Sequence, residues 1–279
     1  MDVCPDKAPS VNIYEVAAHE LDMVAAICLD PSVPKTWKKA MESSMEARKR
    51  WLSSMMQVGL KVAVALGPRR GKLGLIEYIP IQHASEPVQG KNSLFINCIW
   101  VIPPIWKKGV AKTLLSYAIE QGKKTGGITT LAYDGDKWFG VFPYMPSSFF
   151  QKFGFKEVDR DDSRVLLHMD LGGGNQPSLI RPKTQRIPNN GKVVVEILFN
   201  NQCPWSGWMV DKAQRALKKY DATVVAVNTD DQKILRKYGL ARGVLINGVP
   251  AIKRMATVKE IESLAQKYAL PKSQETKKQ

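Results

Sequence analysis

The sequence predicts an α/β protein of two domains, a larger one built on a mixed sheet with flanking helices and a smaller α/β domain behind it. Three observations carry this. The chain has 279 residues, long for one compact domain and comfortable for two. Strand-like and helix-like runs alternate along it, which calls for a sheet covered by helices. From residue 172 that periodicity lapses over GGGNQPSLIRPKTQRIPNNG, a stretch of glycine, proline and asparagine of the kind that joins domains. The expected division is a first domain over 1–171, a linker over 172–190, a second domain over 191–271 and a basic tail over 272–279.

In the first domain, residues 10–16 read as a strand and 18–27 as a helix. A longer helix follows, opened by Pro34 in a first turn that tolerates proline. Its apolar stripe is read as Trp37, Met41, Ser44, Trp51, Met55 and Val58. Lys61–Leu66, the turn GPRRGK and residues 73–81 make a hairpin, because two β-rich runs flank a Gly/Pro turn. Then come a strand over Leu94–Val101, a helix over 109–124, a strand over 128–133, a short helix over 147–153 and two closing strands, the last over 165–170. The order is βααβββαβαββ.

The second domain reads as a strand at 193–198, a helix at 209–220, a β-branched run at 223–227 and a helix at Gln232–Tyr238. Gly243–Ile246 then turns through Asn247-Gly248 into another strand. Thr257 and Glu260 form a capping box for a last helix. This order, βαβαββα, suits a thioredoxin-type sheet.

Composition narrows the class. Hydrophobic residues make up 44% and charged residues 24% of the chain, and no run approaches the roughly 18 apolar residues of a membrane span. MDVCPDKAPS lacks the basic start and apolar run of a signal peptide. Cys4, Cys28, Cys98 and Cys203 stand singly, so a reducing, cytoplasmic setting is expected. His19, His83 and His168 lack metal-ligand spacing, and no metal is expected. Of the net charge of +15, residues 1–171 carry 22 basic and 18 acidic side chains, residues 172–279 carry 19 and 8. The second half is the basic one, and an acidic partner is the expectation for it.

The segment INCIWVIPPIWKKGVAKTLLSYAIEQG, residues 96–122, carries the chemistry. A strand ends at Val101, a proline turn follows, and Lys107, Lys108, Gly109, Val110, Ala111 and Lys112 open an amphipathic helix. The N–H groups of a helix start lack intrahelical partners and sit at the positive end of its dipole, which fits a pyrophosphate. Gly109 and Ala111 are small enough for close approach, and the three lysines add charge.

Taken with SSFFQKFGFKEVDRD, residues 147–161, this segment resembles the GNAT acetyltransferases. Their helix start carries Arg or Gln, two variable residues, Gly, one variable residue, then Gly or Ala. Gly109 and Ala111 match the small positions, whereas Trp106 occupies the first. The resemblance implies acetyl-CoA as cosubstrate, with the backbone of Trp100 and Val101 holding the pantetheine arm, and direct transfer of the acetyl group to an amine. Where many relatives place an acidic tyrosine this chain has Phe150, so Tyr144 is the candidate proton donor. Glu77 is the candidate base or amine anchor, against a plain solvent-facing strand residue. Cys98, in the same strand as Trp100, is read as a small buried hydrophobe.

In the second domain, FNNQCPWSGWM places Cys203 between a strand and a helix, where a thiolate is favoured. Residues 191–270 resemble the YoaP-like domains fused behind GNAT domains and, more distantly, glutaredoxins. Ser206 replaces the second cysteine and Arg242 the glutaredoxin proline, leaving only monothiol chemistry open. Three function classes follow. The first is an N-acetyltransferase acting on a small-molecule or peptide amine, with the second domain presenting or recruiting substrate. The second is a monothiol redox or thiol-transfer protein with a regulatory CoA-binding half. The third is a non-catalytic CoA-binding or nucleic-acid-associated module, for which no aromatic-and-basic RNA motif speaks.

Overall fold

The structure is a computed structural model that describes residues 11–29, 33–135, 137–138, 142–173, 175–186 and 191–268. Cys4 and the tail at 272–279 lie outside these residues. The chain divides into two compact units. The first comprises the residues up to Ala84, then Val88–Asp134 and Met145–Leu179; the second takes Ser85–Pro87, Gly135–Tyr144 and everything from Ile180 onward.

The first unit opens with β1 (Asn12–Glu15), α1 (Leu21–Ala25), α2 (Lys35–Ala40) and α3 (Glu42–Met56). Here the stripe read from sequence holds at Met41 and Trp51, is half-buried at Ser44 and Met55, and fails at its two ends. Trp37 and Val58 are 45% and 40% exposed, while Met41, Met45, Arg48, Trp51 and Leu52 are buried. The chain breaks between α2 and α3 at Met41, which shifts the buried face to Met41, Met45, Arg48 and Leu52, successive turns of one helix.

β2 (Lys61–Leu66) and β3 (Lys72–Pro80) form the expected hairpin. β4 (Val88–Gln89) precedes β5 (Leu94–Val101), then α4 (Val110–Gly122), β6 (Gly127–Tyr133), β7 (Lys137–Trp138), β8 (Phe142–Pro143), α5 (Ser147–Gln151), β9 (Lys156–Asp161), β10 (Arg164–Asp170) and β11 (Ser178–Leu179). Seven strands join in the order β1-β2-β3-β5-β6-β10-β9. All neighbours are antiparallel except β5 and β6.

Helices cover both faces, as consecutive residues of β3 show. Glu77 meets Arg48 of α3, whereas Tyr78 and Tyr117 of α4 both donate to Glu15 Oε2 at 3.3 Å. Leu114, Leu115 and Ala118 of α4 are fully buried, each leucine contributing about 1.5–3 kcal/mol by leaving water.

The expected linker is only partly one. Within it β11 pairs with β4, Leu179 is buried, and the Leu179 N–H donates to Asp159 at 2.8 Å. Two-residue strands have no period to betray them, which is why the sequence reading passed over both.

The second unit contains β12 (Val193–Phe199), α6 (Pro204–Leu217), β13 (Ala222–Asn228), α7 (Gln232–Tyr238), β14 (Gly243–Ile246), β15 (Val249–Ile252) and α8 (Val258–Tyr268). Its sheet order is β13-β12-β14-β15, with β12 parallel to β13 and the other pairs antiparallel. Both turn devices form. Asn247 and Gly248 take φ of 50° and 80°, as a type I′ hairpin turn requires. Thr257 N–H donates to Glu260 Oε2 at 2.8 Å, and Glu260 N–H to Thr257 Oγ1 at 3.2 Å. The core gathers Val195, Ile197, Val210, Ala213, Leu217 and Ile261. No helix among the described residues is long and apolar enough to cross a membrane.

Candidate active site

A fork in the first sheet positions the site. β5 and β6 run parallel but pair only from Leu94↔Ile128 to Ile96↔Thr130, while β5 continues to Val101 on the β3 side. Beyond Ile96 the edge of β5 that faces β6 is open. The separation starts where the β3–β5 register slips, with Glu77 opposite Cys98 and Tyr78 opposite Ile96. Asn97 is the extra residue, and such a bulge bends its strand.

At the fork's end the Ile102 N–H donates to Leu73 O at 3.0 Å, and Trp100 lies opposite Leu75. Antiparallel alternation therefore directs the peptide groups of Trp100 toward β3 and those of Val101 toward the open side. Of the expected pair, Val101 and not Trp100 has its peptide groups on the fork side, and Ile99 shares that orientation. Gly74 permits the close pairing behind it, since a Cβ there would come within 2.4 Å of Trp100 O.

The turn after β5 leads straight into α4. Trp106 Nε1 donates to Val101 O at 2.6 Å, and its ring meets Trp100 edge-on at 6.4 Å. Where the family pattern carries Arg or Gln, an indole ties the turn to the strand end. Lys107 and Gly109 have φ of 66° and 83°, and Gly109 is the N-cap of α4. No side chain caps this helix, and its first bond is Thr113 N–H to Gly109 O at 3.1 Å. The N–H groups of Val110, Ala111 and Lys112 thus point out of the helix start with the positive end of the dipole. A Cβ on Gly109 would meet nothing within 4 Å, so the space at the N-cap is open. Lys107, Lys108 and Lys112 are exposed around it. A phosphate-bearing ligand fits this donor set: charge-matched and unobstructed, with an open strand edge leading away from it.

The other lip of the fork is the end of β6. The Tyr133 N–H donates to Met145 O at 3.0 Å. Asp134 accepts from Ser147 Oγ at the start of α5 and from Arg160 Nη1, the latter at 2.7 Å. The Ser147 hydroxyl, then Arg160, hold the Asp134 carboxyl below its ordinary range. Sequence reading missed this trio because its members lie 13 and 26 residues apart with no shared period.

The candidate chemical groups fare differently. Glu77 is neither solvent-facing nor placed as a base: its carboxylate is fully buried and ion-paired with Arg48. A carboxylate so enclosed has no face turned to an incoming amine. Phe150 is buried against Phe149 and Phe155, with ring centres 5.1 and 5.6 Å away, and offers no proton. Tyr144 is half-buried, immediately before the buried Met145 at which the chain re-enters the first unit. Cys98 is buried, as read.

Cys203 is the half-buried N-cap of α6, its carbonyl accepting the Ser206 N–H at 2.9 Å. α6 starts five residues earlier than its apolar period suggests, because Pro204 fills N1, where a missing N–H costs nothing. Arg242 is buried and donates to Asn200 Oδ1 at 2.8 Å and Gln202 Oε1 at 2.6 Å, bracing the residues just before Cys203. Arg48 is the main buried group the sequence did not reveal. Its signal was a charged residue three positions from both Met45 and Trp51, inside the buried stripe.

Residues 45–137 match the family model of the Acetyltransferase (GNAT) family. The chain is 28% identical over 182 residues to "Uncharacterized N-acetyltransferase YoaP" of Bacillus subtilis (strain 168), a match covering 65% of this chain and 70% of that protein. Among solved structures, it resembles a GNAT-family acetyltransferase from Staphylococcus aureus Mu50, with 15% identity, 58% of this chain and 99% of the other covered, and a TM-score of 0.37. It also resembles YhbS from Escherichia coli in complex with CoA, with 13% identity, 61% and 86% covered, and a TM-score of 0.40. On these similarities, with residues 45–137 the stretch that the family model matches, the chain is an N-acetyltransferase with acetyl-CoA as its cosubstrate.

Proposed function

We propose that the chain transfers an acetyl group directly from acetyl-CoA to the amine of a small molecule or peptide, at the fork between β5 and β6. The observation that carries this is the start of α4, open at Gly109, which follows the stretch of β5 where pairing with β6 has ended. In this reading Val110, Ala111 and Lys112 hold the pyrophosphate through backbone N–H groups, while Lys107, Lys108 and Lys112 neutralise its charge. The pantetheine arm runs along β5 beside Val101. The cosubstrate supplies the thioester; an amine held in the fork attacks its carbonyl, and proximity provides much of the rate. Tyr144 is the proposed donor to the thiolate that leaves as the C–S bond breaks, because Phe150 carries no proton; the proton lost by the amine nitrogen passes to solvent water, which restores the tyrosine.

The second unit is proposed as a thioredoxin-type domain that presents or recruits the acceptor. Its support is the βαβαββα order with a parallel pair at β12–β13, and Cys203 at a helix start. With Ser206 three residues on, Cys203 acts as a single thiol. The excess of lysine and arginine in this half suits an acidic partner. A screen of amines, followed by release of free CoA from acetyl-CoA, tests the reading; turnover with none of a broad set, at enzyme concentrations where acetyl-CoA is bound, would refute it.

A further inference from the structure

The buried pair Arg48–Glu77 calls for an explanation that stability does not give. Both side chains are about 1% exposed or less. Removing two charges from water costs more than an ordinary ion pair returns, and apolar residues of similar size are commonly as good or better there. Burial is the largest single influence and opposes the charge on Arg48, but the fields of Glu77, Cys28 and Cys98 and the Glu77 hydrogen bond together outweigh it, and the guanidinium is held above its usual range. The ion pair is enclosed by protein on every side.

Its position is informative. On one face of the sheet Glu77 stands between Val62 of β2 and Cys98 of β5, its direct cross-strand partners. Cys98 and Cys28 both lie near enough to act on the Arg48 charge. Immediately beyond Glu77 the register slips, leaving Asn97 as the bulged residue of β5, and pairing with β6 ends at Ile96. This charged anchor therefore stands at the residue where the fork opens. An apolar side chain would fill the same volume without fixing a direction, whereas a guanidinium bonded to a carboxylate fixes both distance and angle.

We infer that Arg48 and Glu77 are positioning residues for acetyl transfer: from α3 they pin β3 at the β5 bulge, and so hold the open edge of β5, through Val101, in the geometry that receives the pantetheine arm. This rests on the proposed cosubstrate site. It assigns Glu77 a role that does not touch the reacting atoms, and it separates two parts of one binding site. The nucleotide phosphates meet the α4 start, which the pair does not touch; the arm meets β5, which it does.

Calorimetry on the full chain with two ligands tests this. Acetyl-CoA has the arm, and adenosine 3′,5′-bisphosphate has phosphates without it. In the Arg48→Met/Glu77→Leu double variant, acetyl-CoA affinity should fall about tenfold or more while the bisphosphate changes less than about twofold, because only preorganisation of the arm's track is lost. Glu77→Asp keeps the charge but retracts the carboxylate by one methylene. It carries the same test if the double variant does not fold, with about a threefold loss expected for acetyl-CoA alone. Unchanged acetyl-CoA affinity, or equal losses for both ligands, would overturn the positioning role. A wild-type protein that binds neither ligand would instead overturn the cosubstrate site itself.

Discussion

Tyr144 is the residue on which the proposed chemistry turns, because Phe150 and Glu77 are both closed to it. Phe150 is sealed in a phenylalanine cluster, and Glu77 is spent on Arg48. Loss of a general acid commonly lowers rate by about 10²–10⁴, so Tyr144→Phe should reduce kcat within that range while acetyl-CoA binding stays nearly intact. Turnover unchanged with an acceptor found by the amine screen would remove Tyr144 from the mechanism. His168 gives a separate prediction about pH. It is buried, and Nδ1 lies 2.9 Å from Thr129 Oγ1, which in turn lies 2.8 Å from Ser93 Oγ. Burial is the main cause that lowers its pKa from the ordinary value, against a weaker pull from Asp170. The unfolded chain then binds a proton more readily than the folded one, so the stabilisation is present above about pH 6.5 and lost as pH falls below it. The wild-type melting temperature should therefore drop more between about pH 7.5 and 5.5 than that of His168→Gln. Parallel curves would show that His168 does not carry this dependence.

Among the elements, those with a chemical start and stop signal were legible in the sequence and those without were not. α7 begins and ends where it was read, because Asp231 accepts from the Lys233 and Ile234 N–H groups and Gly239 closes the helix at φ 66°. Asp231→Ala removes that cap and should cost about 1 kcal/mol in urea unfolding; no measurable change would mean that tertiary contacts alone define the helix start. β5 and β14 were equally readable, bounded by polar or glycine-containing turns. α2 and α3 were read as one helix, since nothing at Met41 marks a break, and that reading placed Trp37 and Val58 inward. The same error concealed Arg48. The helix start at Gly109 was legible because small residues and lysines in that order have a physical use. The fork was not, because it depends on where β6 stops pairing with β5, a property of two strands and a bulge that neither strand's sequence states alone.

Over the whole molecule, the course of the chain through the two units is not one that composition states. The boundary falls after Leu179, within the expected linker, and residues 85–87 and 135–144 group with the second unit. Short inserted segments of this kind carry no composition shift large enough to see. The proposed division of labour makes Cys203 dispensable for chemistry on a small acceptor. Cys203→Ser should leave acetyl transfer to a small free amine within about twofold of wild type. Complete loss would show that the thiol belongs to the transfer site and would end that division.

The most direct test of the account is acetyl-CoA binding to the full chain with Gly109 replaced by glutamate. The glycine's φ of 83° disfavours any side chain, and the space before it is open, so a carboxylate there would occupy the place assigned to the pyrophosphate and repel it. Gly109→Ala, with the same backbone strain and no charge, serves as the comparison. Calorimetry should detect acetyl-CoA binding to the wild type, weaker binding to Gly109→Ala, and none to Gly109→Glu. Wild-type affinity in Gly109→Glu would contradict the pyrophosphate assignment.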